Sequence, residues 1–140
     1  MIEKFYSKID KKLLLFSVAN IKNVSEKRLD TSPETEYLQS SISKLKKGFQ
    51  IKPHKHKSFE RKIYKTQEAW FLVEGEVFAE FFDINNKKVF EKSFKKGDLI
   101  TIFNGGHCFK ITEDTIFLEF KNGPYFGPEK DRRRIEPKKN

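Results

Sequence analysis

The sequence contains few cysteines and no long apolar runs, and each of these shortages excludes a class of protein. Only one of its 140 residues is a cysteine, Cys108, so an internal disulfide framework is excluded. No apolar run approaches the roughly 20 residues that span a membrane. The longest apolar run near the start, Leu13–Phe16, is too short for the apolar region of a secretory signal. We therefore expect a soluble, cytoplasmic protein with no membrane partner.

The charge is strongly positive but widely spread. Lysine and arginine total 29 against 20 acidic residues, which gives a net charge of +9. Many lysines stand in pairs at predicted turns, such as Lys46-Lys47 and Lys87-Lys88, and no nucleic-acid-binding motif accompanies them. We therefore do not expect a nucleic-acid partner. The one dense basic cluster lies in a C-terminal tail, residues 128–140, where Lys130–Arg134 is either disordered or meets an anionic partner.

Fifteen phenylalanines supply much of the apolar content, and they recur in short extended segments separated by turns. This pattern over residues 36–127 predicts an all-β sandwich or barrel. In the clearest hairpin, Gly75 separates two apolar runs at a position where glycine can take a positive φ. The predicted extended segments are Ser40–Leu45, Phe49–His56, Ala69–Val73, Val77–Phe82, Val89–Phe94, Leu99–Phe103, Cys108–Ile111 and Thr115–Phe120.

Residues 1–35 are mixed in character and are predicted to be an N-terminal extension. Ile2–Leu14 interleaves charged and apolar residues and suits a short helix, whereas Leu14–Ile21 suits a strand. Thr31-Ser32-Pro33-Glu34 has the hydroxyl cap, the early proline and the first-turn acid of a helix start. We therefore expect a turn of helix to lead into the β domain.

His54-Lys55-His56 is the first feature that carries chemistry. Side chains two apart on a strand point to the same face, so both imidazoles would project one way. Such a pair supplies half of a metal site, although two surface histidines are the alternative in a lysine-rich segment. The third histidine, His107, follows Asn104-Gly105-Gly106 at the end of a predicted strand. Scattered surface histidines have no reason to adopt such positions, so the pattern favours a metal site.

The spacing of these residues resembles the first motif of the cupin superfamily. That motif has a glycine, five residues, H-x-H, a short gap, a glutamate, six residues and a glycine. It is matched here by Gly48, His54, His56, Glu68 and Gly75. The gap from His56 to Glu68 is eleven residues, longer than usual, and Glu60 fits the short gap. We prefer Glu68 because Ala69–Val73 suits the buried strand that should follow, and Glu60 remains the alternative ligand.

The second cupin motif is matched by Gly97, Gly105 and His107, with Phe103 where proline is usual and one residue fewer before the histidine. The resemblance covers residues 36–120 and implies an all-β cupin jelly-roll barrel. It also implies a divalent metal ion, which could be Fe, Mn, Zn, Ni or Co, held by three imidazoles and one carboxylate. The implied ligands are His54, His56, Glu68 and His107. Cys108, next to His107 on the strand, is expected to face away from the metal.

The chain also resembles a narrower group of small cupins found among polysaccharide and nucleotide-sugar functions. The residues that carry this resemblance are Thr66-Gln67-Glu68-Ala69-Trp70, Gly105-Gly106-His107 and Gly123-Pro124-Tyr125. The resemblance implies a metal-dependent sugar or nucleotide-sugar isomerase or epimerase. The alternatives are a ferrous dioxygenase of a small substrate and a non-catalytic module that binds a sugar or another small ligand.

An inserted stretch, Lys57–Gln67, joins the ligand-bearing strands and is expected at the mouth of the barrel. The predicted contacts of a sugar or anionic small-molecule substrate are Arg61, Tyr64, Gln67 and Trp70. An extended hairpin or a dimer contact with solvated charges is the alternative for this stretch, and a core position is the alternative for Trp70. Because the sheet edges of a jelly roll need covering, we also expect a homodimer.

Overall fold

The computed structural model of the protein describes residues 1–25 and 27–136, so Lys138 and Lys139 of the predicted tail lie outside the described residues. The strands are β1 Ile2–Tyr6, β2 Leu14–Asn20, β3 Arg28–Asp30, β4 Ser41–Ser43, β5 Glu68–Glu74, β6 Glu76–Phe82, β7 Lys88–Lys95, β8 Asp98–Ile102, β9 Gly106–Ile111 and β10 Ile116–Lys121. A 3₁₀ turn at Ile21–Asn23 and a short helix, α1, at Pro128–Asp131 are the helical elements of this described part. The predicted all-β class is confirmed, and no described helix is long and apolar enough to cross a membrane.

Antiparallel pairing joins the strands into two main sheets. The larger sheet has the order β1-β2-β8-β5-β10, the smaller has the order β7-β6-β9, and β3 pairs separately with β4. Neither main sheet closes on itself within residues 1–25 and 27–136, so the predicted jelly-roll barrel is not seen. The architecture is made of antiparallel sheets, and the jelly-roll arrangement stays a prediction. The first 35 residues, predicted as an extension, contribute β1, β2 and β3 to these sheets.

The hydrophobic core lies between the two main sheets. Phe16 of β2 stacks on Phe81 of β6 with ring centroids 3.7 Å apart, and Phe5 of β1 stacks on Phe16 at 4.4 Å. Leu72 and Val77, which flank the Gly75 hairpin, are fully buried. Burying each such side chain contributes about 2 kcal/mol. The packed core therefore fixes the two sheets against each other and positions the side chains at the ends of their strands.

Strands β5 to β10 all lie within about two residues of their predicted positions, because each is a short segment with β-branched or aromatic residues between clear turns. At the turns, Gly75 has φ +80° and Asn86 has φ +64°, as the hairpins require. The sequence pattern therefore predicts where these strands lie to within about two residues.

Two helix predictions in the N-terminal region are wrong. Ile2–Tyr6 is a strand, because Phe5 packs on the core and the turn before β2 is fixed by Ser7, whose Oγ accepts the N–H groups of Ile9 and Asp10 at 3.0 Å. Thr31 caps no helix. Its hydroxyl and its backbone N–H instead bond to Ser40, at 2.6 and 2.9 Å, which ties β3 to β4.

The long segment between β4 and β5, residues 44–67, has no regular secondary structure. Phe49–His56, predicted as extended, pairs with no described strand, and every residue from 43 to 66 is exposed. Between positions 44 and 65 the chain has nine lysines or arginines and one acidic residue, Glu60. Mutual repulsion and solvation of these charges explain why the segment stays on the surface.

Candidate functional site

Glu68 and His107 meet at the end of the two main sheets where β5 begins and β10 ends. Glu68 is the first residue of β5, in the larger sheet, and His107 is the second residue of β9, in the smaller sheet. Glu68 Oε1 contacts His107 Nε2 directly. The pair therefore bridges the two sheets, and each partner is held by a regular strand on the packed core.

Lys121 completes this group from the last position of β10, directly opposite Glu68 in the antiparallel register. Its ammonium donates to Glu68 Oε2 at 3.1 Å and to Glu119 Oε1 at 2.9 Å. Burial raises the pKa of Glu68, but the hydrogen bonds and positive charges of His107 and Lys121 outweigh burial and lower its pKa from 4.5 to about 2. Glu68 is therefore a carboxylate throughout the physiological range, although its side chain is only 10% exposed.

The pair lies on the wall of a cavity of about 1240 Å³, which is large enough for a small organic ligand. Many of its lining groups are polar or charged and come from the ends of several strands. They include Thr66, Glu68, Glu80, Asn85, Lys87, Lys88, Asn104, His107, Glu119 and Arg132–Arg134. A cavity lined in this way suits a polar or charged ligand better than an apolar one.

Trp70 lies two residues after Glu68 on the same face of β5 and also lines the cavity. Phe117 and Phe109 both stack on it, with ring centroids 4.0 and 4.1 Å away, so two such neighbours must cover opposite faces of the indole. Its Nε1 is buried and has no hydrogen-bond partner among the described residues. An unpaired buried donor costs about 1–3 kcal/mol.

The structure does not bring the two other predicted ligands to this pair. His54 and His56 are exposed in the 44–67 segment, where their ring centroids are 5.5 Å apart and His54 Nδ1 lies 2.9 Å from Lys52 O. Across residues 1–25 and 27–136, no three His, Cys, Asp or Glu side chains form a group that could hold a metal ion. Glu68 and His107 contact each other directly, whereas the two loop histidines, as placed, do not line the cavity.

The other predicted positions divide between surface, interior and cavity. Arg61 lies 4.3 Å from the ring of Phe59, and Tyr64 is 80% exposed, so both are on the surface of the long segment, as is Glu60. Gln67 is buried and structural. Its Oε1 accepts the N–H of Leu38 at 2.9 Å, and its Nε2 donates to Phe103 O at 3.3 Å. Of the four predicted substrate contacts, Trp70 is the one that lines the cavity.

Cys108 is exposed, and its thiol donates to Glu80 Oε2 at 3.4 Å. Burial of the sulfur atom and the neighbouring Glu80 carboxylate both raise the pKa of this thiol. Cys108 is therefore a neutral thiol at physiological pH and is neither a ready thiolate ligand nor a nucleophile.

Two contributions to the site are not evident from the sequence motifs. Lys121 could have been found from the strand pattern, since it shares a face of β10 with Phe117 and Glu119. The part of the basic tail at Arg132–Arg134 reaches the cavity because the chain turns back after β10. Nothing in the local sequence signals that return.

Comparison of the chain with protein-family models, with curated proteins and with solved structures gives no match. The resemblance to cupins stays a prediction. The function is therefore argued from the chemistry of the cavity, since a scaffold alone does not define an activity.

Proposed function

We propose that the chain is a cupin-type protein that binds a sugar or another small anionic molecule in the cavity, with a divalent metal ion as cofactor. The observation that carries this proposal is the contact between Glu68 and His107 on the cavity wall. A buried carboxylate and an imidazole, brought together from two different sheets, are an arrangement typical of a functional centre. Trp70, whose buried indole N–H has no partner among the described residues, also lines the cavity and would add a donor for a ligand oxygen.

In the metal-bound protein, Glu68 and His107 would hold the ion together with His54 and His56. The metal would supply Lewis-acid chemistry, which polarises a bound carbonyl oxygen. Residues 49–57 have to move for the two loop histidines to take part. The outer edge of β9, the strand of His107, has no strand partner in the described chain and offers backbone groups for such a segment.

A second candidate function, metal-independent proton transfer, is favoured by the same contact. A carboxylate that accepts a hydrogen bond from an imidazole holds the ring in one orientation, as in many general acid–base pairs. In a sugar isomerase or epimerase, His107 would take a proton from the carbon next to a carbonyl and return it to the product. Glu68 would act by orienting and stabilising the charged ring.

Solvent-isotope exchange tests the isomerase or epimerase proposal. The protein would be incubated in D₂O with a panel of keto sugars and sugar phosphates, and deuterium at carbon would be detected by mass spectrometry. We expect exchange that is lost in Glu68→Gln and in His107→Asn but kept in Glu60→Gln, since Glu60 is exposed. Exchange that stops when a chelator is added supports the metal-dependent mechanism. Exchange that persists with the chelator supports metal-independent proton transfer. Exchange unchanged in both site variants would refute a reactive role for the pair.

A further inference from the structure

The C-terminal strap, residues 128–136, contributes part of the cavity wall. Its short helix α1 is linked to the body of the protein by a hydrogen bond from Thr66 Oγ1 to Asp131 Oδ1. Further along, Ile135 packs on Gly106, where a Cβ atom would lie only 2.1 Å from Ile135 Cδ1. The strap is therefore attached at both ends of its arginine run. One attachment is at Gly106, the residue before His107, and the other is at Thr66, two residues before Glu68.

Between these two attachments the strap presents Arg132, Arg133 and Arg134 to the cavity. None of the three forms an ion pair with a described residue. Four acidic residues line the cavity. One of them, Asp131, accepts a hydrogen bond from Thr66, and the other three already have a cationic partner. These are Glu68 and Glu119 with Lys121, and Glu80 with Lys88.

The cavity therefore has an unbalanced positive side. Lys87, at the β6–β7 turn, also lines the cavity and has no ion pair among the described residues. Guanidinium groups present planar sets of hydrogen-bond donors that match the oxygens of a phosphate group. Several guanidinium groups together therefore bind a diphosphate more tightly than they bind a single carboxylate.

We propose that the strap is the binding site for the phosphate or diphosphate group of the cavity ligand. This inference rests on the proposed function, because it takes the cavity as the ligand-binding site. It narrows the class of ligand to phosphorylated small molecules. The arginines hold the phosphate end, and the rest of the ligand extends towards Glu68 and His107. Ile135 is a positioning residue, because its packing on Gly106 keeps the arginines against the cavity.

Calorimetric titration of the full, untagged chain with inorganic pyrophosphate at low ionic strength tests this proposal. The test variant replaces Arg132, Arg133 and Arg134 with Gln. The matched control replaces Lys22, Lys95 and Lys96 with Gln, which removes the same charge from exposed positions at a different pocket. We expect one pyrophosphate per wild-type chain, a loss of at least about tenfold in affinity in the arginine variant, and little change in the control.

Ile135→Ser should weaken pyrophosphate binding by about threefold while the net charge stays the same, because the strap loses its apolar attachment. The proposal is overturned if wild type does not bind pyrophosphate, if the arginine variant binds it as tightly, or if the lysine control loses as much affinity. It is also overturned if the arginines bind a single-stranded RNA and added pyrophosphate does not displace that RNA. Glu68→Gln should still bind pyrophosphate. Pyrophosphate binding therefore tests the strap proposal separately from the proposed role of Glu68 and His107.

Discussion

Replacement of Glu68 by Gln tests how strongly the charged group at the cavity stabilises the fold. The pKa of Glu68 is lowered from 4.5 to about 2, which corresponds to about 3 kcal/mol of folding free energy at neutral pH. Glutamine keeps the size of the side chain and one hydrogen-bond acceptor, but it leaves the Lys121 ammonium, 19% exposed, without its buried counter-charge. We therefore expect Glu68→Gln to lose about 2 kcal/mol, somewhat less than the full linkage value.

The same reasoning fixes the pH dependence of this loss. Because the folded pKa lies below the unfolded one, the contribution of Glu68 is fully present above about pH 4.5 and is lost as pH falls through about 2. The difference in stability between wild type and Glu68→Gln should therefore be at its full size above about pH 4.5. It should shrink steadily as the solution is acidified below pH 4.5.

Urea denaturation followed by tryptophan fluorescence would measure both effects, because the single Trp70 lies beside the site. The titrations would be run with a chelator at several pH values, so that a bound metal does not contribute. Glu60→Gln is the matched control and should change stability by less than about 0.5 kcal/mol, since Glu60 is exposed. A Glu68→Gln protein as stable as wild type at neutral pH would refute the electrostatic description of the site.

Two further predictions concern the scaffold that positions the site. Gly75→Ala should destabilise the β5–β6 hairpin by more than about 2 kcal/mol, because the new Cβ would lie 2.2 Å from the backbone oxygen of Asp114. The control is Gly48→Ala. Gly48 has φ +85° and open space around it, so this change should cost only about 1 kcal/mol. An equal loss of stability in the two variants, measured by thermal and urea unfolding, would contradict this prediction. Asp83→Ala should cost about 2 kcal/mol, because the buried carboxylate accepts two backbone N–H groups, at 2.7 and 2.8 Å, that would lose their partner. An unchanged urea midpoint would show that these bonds are dispensable.

Strands β5 to β10 could be predicted because short segments with β-branched or aromatic residues stand between turn-forming residues. Gly75 and Asn86 take the positive φ that their hairpins require. The N-terminal region misled the prediction for a physical reason. The charged residues around Phe5 suggest a helix locally, but the pairing of β1 with β2 and the stacking of Phe5 on Phe16 decide in favour of a strand.

The site could be predicted only in part. The sequence pattern favours Glu68 over Glu60 because a buried strand follows Glu68. The structure places Glu68 against His107, while Glu60 is exposed. Spacing along the chain cannot show whether a charged, exposed segment docks, so the place of His54 and His56 beside that pair remains a prediction. The return of Arg132–Arg134 to the cavity depends on contacts distant in sequence, which no local pattern encodes.

The metal content of the purified, untagged protein tests the central proposal most directly. Elemental analysis would compare wild type with three variants, His54→Ala/His56→Ala, Glu68→Gln and Glu60→Gln. We predict near-stoichiometric iron, manganese, zinc, nickel or cobalt in wild type and in Glu60→Gln, and its loss in the other two variants. Wild-type protein that stays metal-free after reconstitution, or Glu68→Gln protein that retains a full complement of metal, would contradict the proposal that Glu68 and His107 hold a metal ion.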